Sequence, residues 1–310
     1  MASPVPCFRR RIARYRVTPG AVMITVAMAL QAGCGDGSDD PSPPAQPTAT
    51  STGRFVDAAV SNLGYRCSGL SGVADVAGVT DSLGQFDYVP GQSCSFSAGG
   101  VVLGSALGAS LLTPASLVPG AVPGVPNTTV TNIVRFLMSI DDDMQPDNGI
   151  SIAAEVNAAL AARTLDFASP SFDTDAAAVL TAAVPGRGLT SAAAASAHLD
   201  QTLVGLYAGA YACTYRGMVG GVDALLGNVS IHIGDGVIAG SGVPAGGGGS
   251  FDVAGTISST GAANLSAGTT STGASFQGSF SSDGTTAGTT GSGTWTDTDA
   301  GSGTWGCQHS

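Results

Sequence analysis

Apolar and polar positions change their period several times along the chain. The stretch from residue 54 to about 118 reads as β. Phe55-Val56-Asp57-Ala58-Ala59-Val60 opens it. Asp81 to Gly84 forms a turn signal, and Phe86 with Tyr88 alternates as a half-buried strand does. Ser93-Cys94-Ser95-Phe96 and Val101-Val102-Leu103 are further short strands. Pro119 to Pro126, rich in Pro and Gly, breaks the pattern. The period then becomes helical. Val130, Ile133, Val134, Leu137 and Met138 follow the i, i+3, i+4, i+7, i+8 rule, with Asn127 or Thr128 as cap. A second helix is expected over Ile152 to about Ala162. A third spans Asp175 to Ala183 and ends at Pro185-Gly186. A fourth starts after Thr190 or Ser191 and carries Leu199, Leu203 and Leu206.

From Gly209 onward Gly, Ser, Thr and Ala dominate, and residues 217–310 hold no Lys or Arg. Low complexity alone suggests disorder. Alternation overrides it: Tyr211, Cys213, Tyr215; Val229, Ile231, Ile233; Phe251, Val253; Phe276, Phe280; Trp295; Trp305, Cys307. Turn signals such as Gly234-Asp235-Gly236 and Ser281-Ser282-Asp283-Gly284 fall between these runs. The spacing predicts an antiparallel meander of about eight strands. Gly293-Thr294-Trp295 recurs as Gly303-Thr304-Trp305. Cys213 lies in the first strand and Cys307 in the last. A bridge between them makes those strands neighbours and closes the sheet into a barrel or near-barrel.

The fold class expected is α+β, mainly β. A small N-terminal β-sandwich-like module spans 54–118, a Pro/Gly linker 119–126, a helical region 127–208 and a Gly-rich antiparallel β domain 209–310. The run T-D-S-L-G-Q-F-D-Y, Thr80 to Tyr88, resembles the strand-turn-strand of carboxypeptidase-regulatory-like (transthyretin-like) β modules. A Cys67–Cys94 bridge would staple such a module. The C-terminal part resembles Gly/Thr-rich β-domains of bacterial surface proteins.

Ahead of the strands stands a different pattern. Five arginines (Arg9, Arg10, Arg11, Arg14, Arg16) precede an apolar run, Ala21 to Leu30, and then Gln31-Ala32-Gly33-Cys34. This is the layout of a secretory signal, and the run is about half the roughly 20 residues of a membrane-spanning helix. Cys34 after small residues resembles the lipobox of bacterial lipoproteins, in which the cysteine is acylated and becomes the first mature residue. Gln31 stands where a lipobox has Leu. A rival cut after Ala29, following Ala27-Met28-Ala29, fits ordinary secretion. On the lipoprotein reading, 1–33 is the signal peptide and 34–53, rich in Pro, Ser, Thr and Asp, is a disordered tether to a membrane. The location expected is the bacterial cell envelope, at the outer membrane, with periplasmic or secreted forms as the alternatives.

Cysteine count and charge fit export. Of the six cysteines, Cys7 leaves with the leader and Cys34 takes the lipid. Cys67, Cys94, Cys213 and Cys307 remain, an even number that falls into two local groups. Buried free thiols are the alternative. The leader holds 5 of the 11 Lys+Arg and none of the 22 Asp+Glu, so the chain beyond it carries 6 positive against 22 negative groups, a net of −16. Such a surface repels nucleic acid and anionic headgroups and attracts divalent cations and basic partners. A solvated acidic coat is the simpler account.

The acidic run Asp141-Asp142-Asp143-Met144-Gln145-Pro146-Asp147-Asn148-Gly149 is the candidate site. It follows the negative end of the first helix, so something positive should compensate. Ca²⁺ takes oxygen ligands, and Asp141, Asp143, Asp147 and Asn148 would supply them. A solvated acidic turn is the alternative, since Pro146 stands where an EF-hand loop needs Gly. The segment from Asn132 to Ile150 also resembles a module of secreted proteobacterial lipoproteins and adhesin-like proteins, and that resemblance brings no catalytic residues with it. No nucleophile elbow, H-E-x-x-H or C-x-x-C occurs. His198, His232 and His309 read as structural or solvent-facing. Trp295, Trp305 and the Tyr207-Tyr211-Tyr215 series read as barrel filling, with a sugar- or lipid-binding face as the alternative. The functional expectation is a non-catalytic envelope lipoprotein with a binding, adhesive or structural role. It meets the membrane through its lipid anchor and an unidentified ligand or protein at its surface. A carrier holding a small apolar ligand inside the barrel and a hydrolase acting on envelope glycan or ester are the alternatives.

Overall fold

Strand β1 (Ser51–Phe55) takes residues 51–53, which composition assigns to the tether, into the first sheet. Ser51 already pairs with Tyr88, and the Phe86 ring lies over Gly53, where a Cβ would come within 2.6 Å of it. Small polar residues therefore form this strand because a neighbour's ring covers them, which composition does not show. The computed structural model describes residues 49–268, 273–285 and 288–310. The leader, the acylation candidate Cys34 and most of the tether lie outside the described residues.

The N-terminal module is completed by β2 (Val60–Ser61), β3 (Gly64–Ser68), β4 (Val76–Val79), β5 (Gln85–Tyr88), β6 (Ser93–Ala98), β7 (Val101–Leu107) and β8 (Leu111–Leu112). Two sheets form, in the orders β5-β1-β8 and β4-β3-β6-β7. They meet through aromatic rings: Phe55 lies 4.9 Å and Phe86 5.1 Å from Phe96. The Cys67–Cys94 bridge ties β3 to β6 at directly opposed positions.

Helix α1 (Thr128–Ile140) begins where Asn127 Oδ1 accepts the Val130 N–H at 3.1 Å. After α1 come β9 (Ile150–Ser151), α2 (Ala154–Leu160), α3 (Phe172–Ala183) and α4 (Ala192–Gly205). Helix α2 starts later than its periodicity suggests, because Ile152 is engaged in a bridge with Asp141. Helix α3 starts a turn earlier, with Phe172 buried. The helices do not form a core of their own. Ile133, Phe136 and Leu137 of α1 and Leu180 of α3 share one core with Phe55, Phe96 and Val101 of the sheets. Strand β9 pairs in parallel with β2 and sews the helical stretch to the module.

The C-terminal part is a closed antiparallel barrel of eight strands. They are β10 (Gly209–Val219), β11 (Val222–Gly234), β12 (Val237–Pro244), β13 (Phe251–Ile257), β14 (Ala262–Ala267), β15 (Ala274–Ser281), β16 (Thr290–Asp297) and β17 (Ser302–His309). Closure comes from β10 pairing with β17, and Cys213 faces Cys307 across that seam with Cα atoms 4.0 Å apart. Tyr211, Phe276, Phe280, Trp295 and Trp305 point inward and are buried. Thr214, Ser230, Asn264, Gln277 and Thr294 alternate outward and are exposed. This is the reverse of a lipid-spanning barrel, whose outer band is apolar.

Glycines make room for the rings. Tyr215 stands opposite Gly227, Phe251 opposite Gly242 and Phe280 opposite Gly291. The two G-T-W copies pair with each other: Gly293 with Trp305, Thr294 with Thr304, Trp295 with Gly303. Each indole covers the other strand's glycine. Trp295 Nε1–H donates to Arg216 O at 2.8 Å, and Trp305 Nε1–H donates to Gln277 O at 3.2 Å.

The two bridges should differ in their contribution to stability. The barrel bridge spans 94 residues and the module bridge 27. Chain-entropy arguments give roughly 4.7 kcal/mol for the longer loop and roughly 3.5 for the shorter. Urea unfolding of Cys213→Ser/Cys307→Ser and of Cys67→Ser/Cys94→Ser should show the larger loss for the barrel pair. The reverse order would contradict this.

Candidate functional site

The turn between β1 and β2 is tight: Val56 bridges Ala59, and Ala58 adopts φ +51°, a left-handed conformation that costs an alanine about 1 kcal/mol. The Ala58 N–H donates to Thr202 Oγ1 of α4 at 3.1 Å, which fixes the turn against that helix. This geometry turns the Asp57 carboxylate inward, where it is wholly buried. Neither of its oxygens has a hydrogen-bond partner, and His198 Nε2 beside it has none.

His198 comes from α4, on the face shared with Ala195 and Thr202, and is itself buried. Its Nε2 lies 3.5 Å from Asp57 Oδ1. Its Nδ1 lies 3.2 Å from Asp147 Oδ1, on an exposed side chain of the acidic loop. One imidazole thus bridges two carboxylates. A charged Asp57 is costly here, because burial strips its water and no hydrogen bond replaces it. A general base needs one ring nitrogen free for the group it activates. Here both nitrogens face carboxylates, and the arrangement acts as a clamp between a turn, a loop and the helix that leads into the barrel.

His198 and Asp147 also line an open cleft of about 1050 Å³. Ala58 and Thr202 continue its wall on the module side, and Asp235 and His309 contribute from the near end of the barrel. Ser110 Oγ donates to Asp283 O at 2.6 Å beside this region, so module and barrel are hydrogen-bonded to each other.

The acidic run is divided between two sets of partners. Asp141 is buried; its Oδ1 accepts the Ser151 N–H at 2.9 Å and its Oδ2 is unpartnered. Burial raises its carboxyl above the usual range, and the charge of Asp143 adds to this. Asp143 accepts from Asn148 Nδ2 and from the Gln145 N–H, which hold its carboxyl low. Asp147 turns to His198. The positive group at the end of α1 is Arg187, whose guanidinium donates to the carbonyls of Asp141 and Asp142. Asp141, Asp143 and Asn148 thus stay beside one another while Asp147 leaves the run for His198, and among the described residues no three His, Cys, Asp or Glu side chains are placed to hold a metal ion together.

Asp57 was legible only as part of an opening strand, and His198 only as a helix residue. The available signal was a lone carboxylate between apolar neighbours, with a histidine at the i+3 position from a buried alanine. Inside the barrel, Tyr215, Ile231, Phe276 and Trp305 leave a gap of about 20 Å³, about the volume one water occupies. Among known proteins, no family model and no curated sequence matches this chain.

The clamp has a pH signature. Burial pushes the Asp57 carboxyl up to about 7, with the charge of His198 opposing. A carboxyl raised in the folded state favours folding fully below its ordinary value of 3.8, and that contribution is lost as pH rises through about 7. Stability of the wild type relative to Asp57→Asn should therefore fall between about pH 5 and about pH 8, by on the order of 2–3 kcal/mol. Urea titrations at the two pH values measure it, and a pH-independent difference would contradict the assignment.

Proposed function

We propose that this chain is an exported, non-catalytic binding protein of the bacterial envelope, held at a membrane through acylated Cys34. Its ligand-facing region is the cleft between module and barrel. The observation that carries this reading is a roomy, mixed polar and apolar cleft between two parts that are each closed by a disulfide. Disulfides persist in oxidising compartments, in keeping with the leader and the even cysteine count.

The filled barrel weighs against the carrier alternative. A small-molecule site needs about 300 Å³ or more, far above the gap of about 20 Å³ inside the strands. The Asp57–His198–Asp147 contact is the type of cluster a hydrolase would need, but both ring nitrogens face carboxylates, which favours the binding reading.

Intact mass of the membrane-extracted protein tests the proposal. The expected species begins at Cys34, carries diacylglycerol and acyl groups, and gains the hydrogens of two bridges on reduction. An unmodified chain beginning at Leu30 would overturn membrane attachment through Cys34.

A further inference from the structure

We propose that the tip of the β10–β11 hairpin is a lipid-contacting element that enters a zwitterionic membrane surface. The two strands are the longest in the barrel and outrun their neighbours. Strand β17 pairs with β10 no further than Gly217, and β12 pairs with β11 only from Gly227. Between these points residues 218–226 form a two-stranded ribbon without a third strand on either side. It turns at Gly220-Gly221, both left-handed at φ +59° and +84°. In the up-and-down order of the barrel this turn lies at the end opposite the cleft, whose barrel wall includes Asp235, Gly236 and Ser282.

The side chains on the ribbon break the barrel's rule. Elsewhere the outward rows are mainly hydroxyl, amide and other small residues, apart from Val237 and Val243 of β12. Here Met218 is 67% exposed, Val219 57%, Val222 67% and Leu225 42%. Four side chains at one hairpin tip make a patch well below the ~800 Å² that each partner brings to a stable protein interface. A second copy of the chain would thus be held poorly by this patch alone, whereas a bilayer needs no complementary shape.

Charge selects the kind of membrane. Asp223, opposite Met218 and one pair from the turn, is neutralised by Arg216 at the base of the ribbon at 2.9 Å, so the tip carries no net charge. The chain beyond the leader is strongly acidic, which repels anionic headgroups and leaves a zwitterionic surface as the compatible one. The affinity of the tip itself does not depend on acylation of Cys34.

The test uses the chain from residue 34 onward, without the leader and carrying Cys34→Ser, purified with both bridges formed, and phosphatidylcholine vesicles in a flotation assay. The protein is expected to float with the vesicles. Adding Val219→Asp and Val222→Asp should reduce the bound fraction at least tenfold, with unchanged circular dichroism because both positions are exposed. In a second variant, Val222→Trp, tryptophan emission should shift to shorter wavelength when vesicles are added. The proposal is overturned if the Cys34→Ser chain does not float, if the aspartate pair floats equally well, or if vesicles leave the emission of the Val222→Trp variant unmoved. It is also overturned if the same aspartates abolish a concentration-dependent dimer that forms without vesicle binding. Because no acyl group is present, these outcomes are independent of the mass measurement on Cys34.

Discussion

The barrel depends on the pairing of five large rings, Tyr215, Phe251, Phe280, Trp295 and Trp305, with a glycine on a neighbouring strand. A Cβ at Gly293 or Gly303 would fall 2.7 Å from the indole nitrogen of the tryptophan opposite, and closer still to the carbonyl oxygen of Gln277 or Arg216 that this indole bonds. Without that atom, Trp305 and Trp295 lie across the adjacent backbone and donate their N–H groups to carbonyls of the strands beyond, at Gln277 and Arg216. A few large side chains thereby fill an eight-stranded barrel whose other residues are small. Glycine in a strand ordinarily weakens it; here the covering ring offsets that cost, the cross-strand arrangement known to rescue glycine in sheets. The composition that resembles disorder is thus the condition for packing.

With its interior filled and its outer rows mainly polar, the barrel differs most from end to end. One end meets the module beside the cleft, the other carries an apolar ribbon. Helix α4 joins the halves, and the Asp57–His198–Asp147 contact pins it to the module. The absence of hydrogen-bond partners for Asp57 makes this joint the least satisfied polar contact described in the structure and gives it a dependence on proton concentration.

Much of this was legible in the sequence. Alternation placed the barrel strands, helical periodicity placed four helices, and the position of Cys213 and Cys307 in the first and last strands implied closure. What was not legible depended on distant partners. The apolar stripe of α1 shows that one face is buried, but not that it is buried against Phe55 and Phe96. The acidic run called for a positive group, but Arg187 lies 46 residues from Asp141 and no spacing rule links them. Asp57 and His198 meet from opposite ends of the module and helical region, through a strained turn that local propensity does not favour. Ser51 and Thr52 look like tether until Asp87 and Tyr88 are placed beside them.

Glycine opposite an indole is a steric requirement of the closed barrel, and urea unfolding of Gly293→Ala and Gly303→Ala tests it most directly. Replacing a strand glycine by alanine ordinarily gains about 0.5–1 kcal/mol. Overpacking predicts instead a loss of about 1–3 kcal/mol or more for each, with a red shift of tryptophan emission as the indoles are displaced. Neutral or stabilising alanines with unchanged emission would contradict that requirement.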